Sequence, residues 1–104
     1  MSKKSLILEI LSGPLDGHQL TLKKDAKWSQ KGKGPLIFPW DDELGEPQAR
    51  LILEGDDWLI EGLKVRHGTY CLNRQEKIDE KVKLEKGDIL KASDTWLLVS
   101  QIDK

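Results

Sequence analysis

Hydrophobic and polar residues alternate along several short segments of the chain. Leu6, Leu8 and Ile10 share one side of such a segment, and Leu97 and Val99 share one side of another near the end of the chain. A period of two is typical of a strand with one buried side. Glycine and proline separate the segments at short intervals, as they do in turns. The pattern therefore predicts an all-β fold, an antiparallel sandwich or barrel.

The segment from Thr69 to Lys86 leaves two interpretations open. It lacks glycine and proline, and Ile78 and Val82 are spaced as on one side of a short amphipathic helix. However, residues 81–85 alternate with a period of two, and the following Lys-Gly-Asp resembles a hairpin turn. This alternation favours strands over a helix.

Composition and charge exclude several classes of protein. The 104 residues fit one domain, 1–104, with a core at about 6–102, and the net charge is -1. This balance gives no long-range attraction to nucleic acid or to an anionic membrane, so we expect neither as a partner. The one cysteine excludes an internal disulfide, and no apolar run is long enough for a membrane span. We expect a cytoplasmic protein.

Residue types that carry catalysis or bind metals are present, but in unsuitable patterns. His67 and Cys71 would be roughly 13 Å apart along a strand, whereas a nucleophile and its base need about 3 Å. The acids at 41–43 and Glu46 lack the alternating ligands of a calcium loop. We therefore predict no enzyme, no catalytic residue, no metal, no cofactor and no small-molecule substrate.

Each of the four tryptophans can anchor a small core or form a contact surface. Trp58 and Trp96 lie in alternating segments, and we expect both in the core. Trp40 lies between proline and aspartate in a loop, which makes it a candidate for contact with a partner.

Five segments together resemble a forkhead-associated (FHA) domain. They are Ser12-Gly13-Pro14-Leu15-Asp16-Gly17, residues 44–51, Trp58, His67-Gly68-Thr69-Tyr70 and Leu84-Glu85-Lys86-Gly87-Asp88-Ile89. The resemblance implies a sandwich of two antiparallel sheets with about eleven short strands. It covers about 6–102, the expected core of the domain, and implies that loops at one end of the sandwich bind phosphothreonine peptides. Since glycine reaches a positive φ at little cost, we separately expect Gly68 to lie in a turn with a positive φ.

The three motifs that bind phosphothreonine in the family are altered in this sequence. The arginine that contacts the phosphate corresponds to Gln30, although Lys31 and Lys33 follow closely. In the family's Ser-Arg-x-His, serine holds the phosphate and histidine braces the loop; the corresponding residues here are Gly45-Glu46-Pro47-Gln48.

The third motif, Asn-Gly-Thr, retains only its last two residues. His67 replaces the asparagine, and Gly68 and Thr69 follow it. The binding loops implied by the resemblance thus comprise Gln30, Lys31, Lys33, Gly45, Glu46, Gln48, Arg66, His67, Gly68 and Thr69.

Phosphate is held best by charge-assisted bonds from arginine, so these changes predict a weakened phosphate site. We expect a protein-protein interaction module, a scaffold that binds another protein or peptide without phosphothreonine. The alternative is a phosphothreonine-peptide reader in Ser/Thr kinase signalling that uses Lys31, Lys33, Arg66 and His67.

Overall fold

Two antiparallel β-sheets form the protein. The computed structural model describes residues 4–65 and 67–102, and these contain ten strands. The strands are β1 (Leu6–Ile10), β2 (Gln19–Leu22), β3 (Ala26–Trp28), β4 (Ala49–Glu54), β5 (Asp57–Gly62), β6 (Thr69–Cys71), β7 (Glu76–Ile78), β8 (Lys81–Lys83), β9 (Ile89–Ala92) and β10 (Thr95–Ile102). The predicted all-β architecture is confirmed, and the described residues contain ten strands where about eleven were expected.

The strand order places the two ends of the chain side by side. The six-stranded sheet has the order β2-β1-β10-β9-β6-β7, and the four-stranded sheet has the order β3-β4-β5-β8. Consequently β2 and β3, which follow each other along the chain, are edge strands of different sheets. No helix among the described residues is long and apolar enough to cross a membrane.

The core lies between the sheets and follows the alternation of the sequence. Leu6, Leu8 and Ile10 are fully buried, as are Leu97 and Val99 on the neighbouring β10. Their burial stabilises the fold by about 25 cal/mol for each Å² of apolar surface removed from water. Trp28 and Trp58 are the largest fully buried side chains. The predicted burial of the alternating residues and of Trp58 is therefore confirmed.

Trp96 is not part of the core, so the expectation that it is buried there is wrong. It is half-buried, and Nζ of Lys91 lies 5.9 Å from the centre of its ring. Both sides of β10 carry apolar residues, so the sequence alone does not determine which side faces the core. Pairing with β1 turns Leu97 inward, and Trp96 consequently faces outward on the six-stranded sheet.

The segment from Thr69 to Lys86 forms strands, as its alternation favours. It contains β6, β7 and β8 with a short 3-10 helix, Leu72–Arg74, between the first two. Near its middle the two sheets meet closely, because a Cβ at Gly62 of β5 would lie 1.9 Å from the carbonyl oxygen of Ile78 in β7. Glycine at this position lets β5 approach β7 of the other sheet.

Replacing each tryptophan by alanine should distinguish the buried Trp58 from the half-buried Trp96 by the loss of stability. Trp58→Ala should lower the free energy of unfolding by about 3 to 5 kcal/mol, because it leaves a large cavity. Trp96→Ala should cost about 1 kcal/mol, since its side chain is partly solvated. Urea denaturation of both variants measures the difference, and equal losses would contradict the orientation of β10.

Candidate functional site

Three loops come together at one end of the sandwich. They are residues 29–33 after β3, residues 43–48 before β4 and residues 67–69 at the start of β6. The backbone N–H of Gln30 donates to the carbonyl oxygen of Gly45 at 3.1 Å, which joins the first two loops. The hydroxyl of Ser29 donates to the carbonyl oxygen of Lys31 at 2.8 Å and so shapes the first loop.

The side chain of Gln48 joins the second and third loops. It is completely buried, and its Oε1 accepts a hydrogen bond from the N–H of Gly45 at 2.8 Å. Its Nε2 donates to the carbonyl oxygen of His67 at 2.6 Å and to Oγ1 of Thr69 at 3.0 Å. An unpaired buried amide would cost about 1 to 3 kcal/mol, so these bonds hold both loops in one arrangement.

Each of two basic side chains in these loops lies beside a carboxylate. Nζ of Lys31 is 3.5 Å from Oε1 of Glu46, and Nε2 of His67 is 3.4 Å from Oε2 of Glu43. A cavity of about 200 Å³ lies at this surface, with Lys31, Lys33 and Glu46 in its lining. Lys27 also lines this cavity, so an anion entering it would meet the carboxylate of Glu46 as well as three lysines.

Gly45, which the sequence resemblance aligns with the family's serine, has no room for a side chain. A Cβ at this position would lie 2.6 Å from Cγ1 of Val65 and 3.1 Å from Oε1 of Gln48. A serine would therefore require Val65 to move. The loss of the hydroxyl is accompanied by packing that fills its place.

The structure brings most of the predicted loop residues together. Gln30, Lys31, Lys33, Gly45, Glu46 and His67 lie in the three loops, with their side chains exposed or half-buried where they have one. By contrast, Gln48 and Thr69 are buried and bond to each other. Gln48 and Thr69 therefore stabilise the arrangement of the loops. Arg66 lies outside the described residues.

Gly68 does not have the expected positive φ, so that part of the prediction is wrong. The side chain of Lys77 instead packs against Gly68, where a Cβ would lie only 2.7 Å from Cε of Lys77. This contact joins the third loop to β7.

Trp40 packs against a glycine turn. A Cβ at Gly13 would lie 2.4 Å from Cζ2 of the indole, and the ring meets Phe38 edge-on with centroids 6.2 Å apart. Its indole nitrogen is buried. The side chain is thus half-buried at the margin of the core, unlike the exposed residue that the sequence predicts, and its contact with a partner stays a prediction.

The carboxylate of Asp41 has a structural role that the sequence analysis missed. It is almost completely buried and accepts hydrogen bonds from the hydroxyls of Ser93 and Thr95 at 2.7 and 2.8 Å. It also accepts the N–H of Asp94 at 3.0 Å. Because these partners lie in the β9–β10 turn, no local signal in the sequence indicates them. No group of three or more metal-ligating side chains occurs within residues 4–65 and 67–102.

Asp41→Ala should lower the free energy of unfolding by about 3 kcal/mol, because the buried hydroxyl of Thr95 and the part-buried donors of Ser93 and Asp94 lose their acceptor. Asp42→Ala is the matched control: Asp42 is exposed, and its removal should change stability by less than about 0.5 kcal/mol. Urea denaturation measures both. Equal stability of the two variants would contradict the anchoring role of Asp41.

Cys71 belongs to a second buried network and faces the core. Its Sγ lies 3.2 Å from Oδ1 of Asn73, and Asp88 accepts hydrogen bonds from Asn73 and Arg74. Burial raises the pKa of the Cys71 thiol, and the charge of Asp88 raises it further. The thiol therefore stays protonated at neutral pH, a state unsuited to nucleophilic catalysis.

Ellman's reagent should modify Cys71 at least about 100-fold more slowly in the folded protein than in urea, because the thiol is buried and protonated. A Lys64→Cys variant supplies an exposed reference thiol and should show one fast and one slow reaction. Two fast reactions would contradict the burial of Cys71 and reopen the question of catalysis.

Comparisons with known proteins agree with this architecture. The FHA domain of an Arabidopsis thaliana hypothetical protein superposes with a TM-score of 0.80 at 24% identity, over 97% of this chain and 86% of that chain. An FHA domain studied for phosphothreonine-dependent interactions gives a TM-score of 0.72 at 16% identity, over 96% of each chain.

A further match is the FHA domain of FhaA, solved in complex with the intracellular domain of Rv3910. Its TM-score is 0.72 at 16% identity, over 89% of this chain and 97% of that chain. No protein-family model and no curated protein sequence matches the chain. The two sheets and the loops at their end therefore give the chain the fold of the forkhead-associated domains.

Proposed function

We propose that the protein is a cytoplasmic, non-enzymatic protein-protein interaction module that acts independently of phosphothreonine. Residues 1–104 form its one domain, and its partner is another protein or peptide. The fold supports a module of this kind, since FHA domains of the same architecture include one solved with a protein partner.

One observation carries the independence from phosphate: carboxylates lie beside Lys31 and His67, two of the cations of the loop site. A phosphothreonine has a charge of about -1.5 to -2 and needs several donors without competing acceptors. Here Glu46 is beside Lys31 and Glu43 is beside His67. A phosphate would have to displace both carboxylates and would remain close to their charge.

The packing of the second loop supports the same conclusion. The position of the family's serine is a glycine, and Val65 occupies the space that a side chain would need. Gln30 offers an uncharged amide where the family has arginine, and a neutral donor gives roughly half the strength of a charged one. The loop site therefore suits a partner recognised by shape and neutral hydrogen bonds.

The alternative is a phosphothreonine-peptide reader that uses Lys31, Lys33, Arg66 and His67, with Lys33 as its best placed lysine. Among the described residues, no carboxylate lies within 4.0 Å of the Lys33 ammonium group. Lys33 also lines the loop cavity. Lys27 also lines this cavity and has no such partner within the described residues, but lysines give point charges without the bidentate geometry of arginine, so we favour the phosphate-independent module.

An NMR titration with a degenerate phosphothreonine peptide library and its unphosphorylated counterpart tests the proposal. We expect no amide shift that depends on phosphate at residues 29–33, 45–48 or 67–69, because the carboxylates oppose phosphate entry. The FHA domain studied for phosphothreonine-dependent interactions is the positive control.

Phosphate-dependent shifts at those residues would overturn the proposal. A loss of those shifts in Lys33→Ala, with retention in Lys64→Ala, would then assign the alternative function to Lys33. Lys64 is the control because it is an exposed lysine outside the loop cavity.

A further inference from the structure

A groove follows the edge of the sandwich where β2 and β3 lie. A cavity of about 470 Å³ and one of about 330 Å³ share Lys24, Asp25, Ala26 and Pro35 in their lining, so they are continuous. We define the edge groove by six of its residues: Lys23, Lys24, Ala26, Lys27, Lys33 and Pro35.

Four lysines of the edge groove have no carboxylate beside them in the described residues. Lys23, Lys24, Lys27 and Lys33 are exposed, and within the described part of the chain no carboxylate lies within 4.0 Å of their ammonium groups. Lysines elsewhere do have such partners, such as Lys81 with Glu54 and Lys83 with Asp57. The four like charges repel one another until an anionic ligand neutralises them.

Asp25 is the one acid that the described residues place in the lining of the two cavities, and its single negative charge is outnumbered by the four lysines. Asp25 accepts a hydrogen bond from the N–H of Leu53 at 2.8 Å, which joins the β2–β3 turn to β4. Arg50, which also lines the larger cavity, pairs with Glu61 at 3.2 Å. The positive charge available to a ligand therefore comes from the four lysines.

The floor of the edge groove is apolar. The half-buried Ala26 and the exposed Pro35 present apolar surface in both cavities, and the buried Leu22 and Leu51 also line them. An occupant that places apolar side chains on this floor and acidic side chains beside the lysines would match both features. An extended peptide with such alternation has this arrangement, because successive side chains point to opposite sides.

The position of the groove favours an extended chain. β2 and β3 are the edge strands of their sheets, and an edge strand presents backbone groups to an added strand. Among the described residues, no aromatic ring lines the two cavities, so stacking with nucleic-acid bases has no platform. A concave site also fits a peptide better than a flat membrane surface.

We propose that the edge groove binds an extended acidic segment of a partner protein, with glutamate or aspartate beside the four lysines and apolar residues on the floor. This inference deepens the proposed function by naming the chemistry of the partner. It uses a surface other than the three loops, although Lys27 and Lys33 border both.

The test is fluorescence anisotropy with a labelled peptide in which glutamates alternate with leucine and serine. The same peptide with glutamine in place of glutamate is the neutral control. The acidic peptide should bind the wild-type protein, and its affinity should fall at higher salt. The neutral peptide should bind at least about tenfold more weakly.

Two charge-reversal variants locate the binding. Lys24→Glu/Lys27→Glu should weaken the acidic peptide at least about tenfold, whereas Lys64→Glu/Lys86→Glu should change its Kd less than about twofold. The control makes the same change in net charge at exposed lysines outside the groove. Circular dichroism checks that both variants are folded, and amide shifts at residues 23–27 with bound peptide would support the assignment independently of either variant.

Absence of acidic-peptide binding, or equal weakening by both variants, would overturn the proposal. Binding of single-stranded DNA or anionic vesicles with the same dependence on Lys24 and Lys27, in place of the peptide, would also overturn it. The phosphothreonine titration reports on residues 29–33 and 45–48 instead. A failure of the edge groove is therefore distinguishable from a failure of the proposed function.

Discussion

The loop end of the sandwich depends on the buried amide of Gln48. A primary amide has acceptor and donor groups on one rigid plane, and Gln48 uses both kinds to reach Gly45, His67 and Thr69. Because the side chain is completely buried, water cannot replace a bond that breaks. The two loops consequently keep a fixed spacing, and this spacing determines which side chains meet at the surface.

Asp41 anchors the segment 41–48 at the end opposite Gln48. Its carboxylate joins the segment to Ser93, Asp94 and Thr95, while Gln48 joins it to the third loop. Both anchors are buried, and the residues between them include Gly45 and Glu46. A segment held at both ends loses little conformational freedom on binding, which lowers the entropic cost of recognition there.

The architecture could be predicted from the sequence, but the contacts that shape the site could not. The alternation of Leu6, Leu8 and Ile10 indicates a half-buried strand without any knowledge of its neighbours. For Trp96 the alternation is ambiguous, because both sides of its strand are apolar and only pairing with β1 decides between them. The packing of Val65 against Gly45 joins separate loops, so no local pattern predicts it.

Net charge also conceals how the charges are distributed. The total is -1, yet carboxylates accompany the basic residues of the loops while four lysines of the edge groove are without them in the described residues. Lys27 and Lys33 border both surfaces. Screening in cells limits attraction between exposed charges to about 8 Å, so the proposed acidic segment would be attracted where lysines without neighbouring carboxylates lie together, in the groove and at its border with the loops. Attraction at the groove and shape at the loops can thus act on one partner without a phosphate.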